Sequence, residues 1–279
     1  MRKGRYLGLG LALVLLLCAC TGVNSERSGT ALPTYEIPTT EAAINDTTAA
    51  ATVDIPETIP VETETTAPVH SALYLPQYAI QQVLEYFEEV VLHMEYTDGT
   101  GNATLVQKWK EPIHYHIYGN PTEEDHMVLT ALFAQLNEIP GFPGIHAAAD
   151  GELGNLMISF LDSENFNIDF SAFLNGEDAY GATQFWYYTA TTEIHTANVG
   201  YRTDIDQNIR TSVLIEEIIN MLGVSDTVLR TDSIVYQYSN DNTALSDIDW
   251  LILKLLYHPA IQCGTDFDGC RTVIEELYY

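Results

Sequence analysis

Basic residues are scarce in this chain: 11 Lys and Arg stand against 39 Asp and Glu among 279 residues, for a formal net charge of −28. Such an acidic molecule repels polyanions, which excludes nucleic acid and anionic lipid surfaces as electrostatic partners. No apolar run reaches the roughly 20 residues that a permanent membrane-spanning helix needs. There is no internal repeat. Past residue 20 only Cys263 and Cys270 remain as thiols, too few for a structural zinc site. His114 and His116 lie two apart on an alternating stretch and so point to one face, yet the sequence ties no third ligand to them. An alternating strand places polar residues on its wet face in any case.

The few bases open the chain. Arg2, Lys3 and Arg5 precede Tyr6 to Leu17, an uncharged apolar segment of signal-peptide length. Leu17-Cys18-Ala19-Cys20 closes it. The small Ala19 before Cys20 resembles the lipobox of bacterial lipoproteins, in which the cysteine is diacylated and becomes the new N-terminus. That resemblance implies a signal peptide over residues 1–19 and a lipid on Cys20. It also implies an anchor on the extracytoplasmic face of a bacterial membrane, in the cell envelope, because two acyl chains hold a protein firmly.

From Thr21 to His70 the chain is rich in Thr, Pro, Glu and Ala, and Arg27 is its one base. Such a composition buries too little apolar surface to order itself, so residues 20–70 read as a lipidated, disordered stalk. Its reach is about 160 Å when extended and about 40 Å as a coil. Residues 71–279 are enough for a single domain with a sizeable core. They carry 31 Asp and Glu against seven Lys and Arg. In an extracytoplasmic compartment Cys263 and Cys270 are expected to form a disulfide.

Within the domain, apolar positions from Tyr78 to Met94 have helical spacing behind Pro76. Thr104 to Tyr118 alternates, interrupted by Pro112, and Thr122 caps a helix with acids in its first turn. Leu156–Leu161 and Phe166–Phe170 read as strands, and Phe185 to Tyr201 continues the sheet. Helices are expected from Asp206 to Leu222 with Gly223 as its stop, from Ser246 to near Tyr257, and from Asp268 to Leu277. A mixed sheet with helices concentrated late reads as α+β.

The Asp206 helix is apolar around most of its circumference, so its polar residues need an explanation. Ser212, Glu216 and Asn220 follow at four-residue steps and Glu217 precedes Asn220 by three, which crowds two carboxylates and an amide together, with Arg210 as a nearby base. Burying them is costly unless they are paired, hydrogen-bonded or bound to a cation.

Glu216-Glu217-Ile218-Ile219-Asn220-Met221-Leu222-Gly223-Val224-Ser225-Asp226 resembles the metzincin zinc signature H-E-x-x-H-x-x-G-x-x-H/D. Ser233-Ile234-Val235-Tyr236 looks like the Met-turn of those enzymes, and Leu245-Ser246 with Asp249 and Leu256-Tyr257 resembles their closing helix. The chain looks closest to a bacterial domain-of-unknown-function family of zincin-like lipoproteins with an E-E-x-x-Q/N-x-L-G motif. Glu95 to Trp109 and Tyr257 to Gly264 are also similar to segments of that family. The resemblance implies a zincin-like single domain with Glu217 in the place of the general base and Glu216, Asn220 and Asp226 in the places of the metal ligands.

Both helix histidines of the zinc pattern are replaced and the Met-turn methionine is Val235. Zinc favours nitrogen and sulfur, whereas these three residues offer oxygen, which suits calcium, magnesium or manganese. Three readings follow. The domain is a non-catalytic or binding module for a peptide, protein or cell-wall ligand; or an atypical metal-dependent hydrolase of peptide or wall material; or a binding domain stabilised by a hard divalent cation.

Overall fold

The computed structural model describes residues 71–93, 105–174 and 179–279. Cys20, the signal segment, the Thr/Pro/Glu stretch and Glu95 lie outside the described residues. Among the described residues no helix is long and apolar enough to cross a membrane.

Helix α1 (Ile80–Phe87) continues as a π-helical turn, Glu88–Leu92. Pro76 sits in the turn before it rather than in its first turn, and the helix opens with the Ala79 N–H donating to Gln82 Oε1 at 2.9 Å. Strands β1 (Lys108–Trp109) and β2 (Ile113–Gly119) flank Pro112, whose missing N–H breaks the ladder where the sequence indicates. Helix α2 (Glu123–Leu136) begins with a reciprocal cap: Thr122 Oγ1 accepts from the Asp125 N–H at 3.1 Å and Asp125 Oδ2 accepts from the Thr122 N–H at 2.7 Å. Strands β3 (Ile145–Ala147) and β4 (Leu156–Leu161) follow. The three-residue β3 is too short to show a period in sequence.

Phe166–Phe170 is not a strand. It lies in helix α3 (Ser163–Leu174), which Asp162 opens by accepting from the Asn165 N–H at 2.8 Å. Phe166, Ile168 and Phe170 mimic a period of two, but Ile168 is 64% exposed while the two phenylalanines stack at 5.2 Å. One turn of helix brings both rings to the same side, where Phe170 lies over Gly200. Burying two phenylalanines contributes about 3–6 kcal/mol, well above any local strand preference.

A hairpin of β5 (Gly181–Tyr187) and β6 (Glu193–Arg202) then leads into α4 (Gln207–Met221), α5 (Asp247–Leu256) and α6 (Phe267–Tyr278), each close to its expected span. The sheet order is β1-β6-β4-β2-β3, with β5 pairing the other way along β6. All other pairings are parallel. The fold is therefore mixed α/β with a mostly parallel sheet, and its helices are not segregated as an α+β domain implies. Helices α2 and α3 run between strands, as parallel neighbours require. The main core joins α1, α2, α4, α5 and one sheet face; α3 covers a smaller cluster of Phe166, Phe170, Ala179 and Ala182.

Candidate functional site

Helix α4 packs against β5, β6 and α2, and every residue from Ser212 to Met221 is buried. Its apolar circumference answers to this position, and its polar residues are carried inside with it. Glu216, Glu217 and Asn220 are each 1% exposed.

The two carboxylates do not share a side, because successive helical residues are turned about 100° apart. Glu216 Oε2 accepts from Asn240 Nδ2 at 3.3 Å, toward the loop before α5. Glu217 lies under β5: a Cβ built on Gly181 would stand 2.8 Å from Glu217 Oε1, and Thr183 Oγ1 donates to the Glu217 carbonyl at 2.8 Å. Both side-chain atoms of Asn220, and the hydroxyl of Ser212, are buried with no hydrogen-bond partner among the described residues. The Tyr201 phenol donates to the Leu214 carbonyl at 2.9 Å. Burial, and after it Glu217, Asp125 and Glu216, raise its pKa well above the usual tyrosine value.

Arg210 forms its ion pair with Asp125, whose side chain is fully buried, and not with Glu216 or Glu217. Gln207 Nε2 adds a bond of 2.9 Å to the same carboxylate. Asp125 thus caps α2 and anchors the first turn of α4. In sequence it reads only as a cap.

The end of α4 explains the rest of the motif. Gly223 has φ +97°, and a side chain there would collide with the Gln107 carbonyl. The last carbonyls of the helix are taken from outside: Trp109 Nε1 donates to Met221 O at 2.8 Å and Tyr257 Oη to Leu222 O at 3.0 Å. Lys108 Nζ reaches Leu256 O at 2.7 Å and Ile261 O at 2.6 Å, and burial lowers its pKa to about 8. The Lys-Trp pair and the Leu-Tyr pair of the resemblance form one lock.

Beyond Gly223, the turn carrying partly buried Asp226 is held from the α1 side. Ser225 N–H donates to Val90 O at 2.6 Å, and Glu89 accepts from Thr227 Oγ1 at 2.7 Å and from the Val228 N–H at 2.9 Å. The Ser233–Tyr236 turn is held by Asp249, which accepts from Ser233 Oγ at 2.8 Å and from the Ile234 N–H at 3.1 Å.

Among the described residues no group of three His, Cys, Asp or Glu side chains could hold a metal ion. The zinc implied by the zincin resemblance does not fit α4, which presents a carboxylate and an amide where imidazoles would stand. Of three surface cavities among the described residues, none is lined by Glu216, Glu217, Asn220 or Asp226. His116 Nε2 lies 3.0 Å from Glu152 O on the wall of one of them, and His114 pairs in register with His146.

Cys263 and Cys270 are free thiols, so the expected disulfide is not formed. Cys263 Sγ turns to the Lys108 carbonyl at 3.6 Å, while Cys270 is buried on α6, where burial raises its thiol to about 11.

The chain matches no curated protein. A family described as "Protein of unknown function (DUF2927)" matches over residues 81–276, from α1 to the last turns of α6. The match takes in α4, the lock at its end and the Asp249 turn, so the chain belongs to the DUF2927 family of domains of unknown function.

Proposed function

We propose that this protein is an extracytoplasmic bacterial lipoprotein, anchored through Cys20, whose domain is a degenerate zincin-like scaffold working as a non-catalytic binding module. The observation that carries the reading is the burial of Glu217 at 1% exposure beneath Gly181. A general base must come within hydrogen-bond reach of the proton it abstracts, and here β5 occupies that space. Support for the zincin-like scaffold is the order of its parts: motif helix, glycine stop, Ser233–Tyr236 turn and closing helix follow in sequence. Gly223, Ser225 and Asp249 act as structural fasteners, which is what a scaffold retains when its chemistry is gone.

A hard-cation-stabilised binding domain is the second reading. It is favoured by the amide of Asn220, buried without a partner among the described residues, because such a group costs about 1–3 kcal/mol unless something satisfies it. Melting temperature separates the two. The first reading predicts that Glu216→Ala lowers it while calcium, magnesium, manganese and chelator leave the wild type unmoved; a metal-dependent shift lost in Glu216→Ala establishes the second.

A further inference from the structure

Two of the surface cavities share Gln135 and Trp250 as lining and so adjoin one another along a groove between α2, α4 and α5. Their volumes are about 420 and 340 Å³, each within the range of small-ligand sites. One end is an apolar slot with Leu132 and Ile215 on its floor and the indole of Trp250 as a wall. At the other end Glu138 and Lys254 line the same cavity with opposite charges, yet they make no ion pair with each other.

Polar groups also line the groove. The Thr211 hydroxyl is buried on the slot side with no hydrogen-bond partner among the described residues, while the partly buried Trp250 and the exposed Gln135 leave the indole N–H and the amide open to a ligand. We infer that this groove binds a short peptide with unblocked ends and one large apolar side chain, the side chain in the slot and the two end charges met by Glu138 and Lys254.

The charges select this class. A hydrocarbon would bury the hydroxyl and amide without partners, and a neutral sugar would leave both charges unmet. A peptide supplies both signs, amide groups for Gln135 and Trp250, and an apolar group for the floor. Lys254 is one of only seven bases from residue 71 onward, which makes its place beside an indole and an acid with no ion pair among the described residues specific. The inference rests on the binding-module reading and gives that module a site away from the α4 motif.

The test is calorimetric titration of the full-length chain in detergent with the tripeptides Ala-Leu-Ala and Ala-Gly-Ala, and with Ala-Leu-Ala blocked at both ends. Ala-Leu-Ala should bind at least about tenfold more tightly than either of the others, the span that loss of one apolar side chain produces in a pocket. Trp250→Ala should weaken it by about tenfold or more. The exposed change Lys254→Gln should erase the advantage of free ends while leaving the melting temperature unchanged. Absence of binding, or equal binding in both variants, overturns the proposal. Mass spectrometry of the same peptides after titration separates the two claims. Intact but unbound peptides remove the groove alone, whereas cleaved peptides remove the non-catalytic reading.

Discussion

Tyr86 Oη lies 2.8 Å from Asp249 Oδ1, joining α1 to α5 across 163 residues of sequence. The same carboxylate accepts from Ser233, the Ile234 N–H and both the N–H and hydroxyl of Ser246. Asp249→Ala leaves these buried donors without an acceptor, and since each costs about 1–3 kcal/mol, a loss of at least about 3 kcal/mol is expected in chemical denaturation. Tyr86→Phe should cost only about 1 kcal/mol, because Ser233 remains to serve the carboxylate.

Lys108 gives a pH signature. Its folded pKa of about 8 lies below the roughly 10.4 of an unfolded lysine, so between these values the unfolded chain binds more protons. Lys108 therefore adds stability as pH rises from about 8 to about 10, while Cys263 and Cys270, whose thiols burial raises, Cys270 to about 11, withdraw stability over the same range, and Tyr86, Tyr201 and Tyr257, whose pKa values burial also raises, withdraw more above it. Lys108→Met should remove the lysine's contribution, so that stability falls more steeply with pH across this range than in the wild type. At neutral pH it should also cost on the order of 1–3 kcal/mol, since the Leu256 and Ile261 carbonyls lose their donor. Denaturation curves across the range read both effects.

Gly223→Ala combines a positive φ with a collision against Gln107 O. Strain alone costs about 1 kcal/mol, and the collision forces β1 away from the end of α4. The expected loss exceeds about 2 kcal/mol, together with a change in Trp109 fluorescence as its bond to Met221 breaks.

The Asp125–Arg210 pair should behave as a buried ion pair. Asp125→Ala leaves a buried guanidinium uncompensated, for an expected loss of about 3–5 kcal/mol, whereas the double change Asp125→Ala with Arg210→Met should cost less than the sum of the singles. A double-mutant cycle in denaturant measures the difference.

Most helices were legible because their caps are local: Thr122 with Asp125 and Ser246 with Asp249 each announce a start within four residues. Helix α3 was not, since Phe166, Ile168 and Phe170 satisfy both periods and only packing on Gly200 decides between them. Strand β3 was invisible at three residues. The burial of Glu216, Glu217 and Asn220 follows from the apolar girth of α4, but their separate faces and the cover from Gly181 depend on β5, far away in sequence. In sequence Arg210 reads as available to them because Asp125 already has a local role as a cap. Lys108 and Trp109 fall in a segment similar to the family, while their task at the ends of α4 and α5 is a tertiary one.

Glu217 carries the central claim. Full-length wild type and Glu217→Gln should be incubated for days with a diverse peptide mixture and with cell-wall fragments, with calcium, magnesium, manganese or zinc added in turn, and the products compared by mass spectrometry. The buried position of Glu217 predicts identical product lists from both proteins. A fragment released by the wild type and absent with Glu217→Gln would contradict that account and make the domain an enzyme.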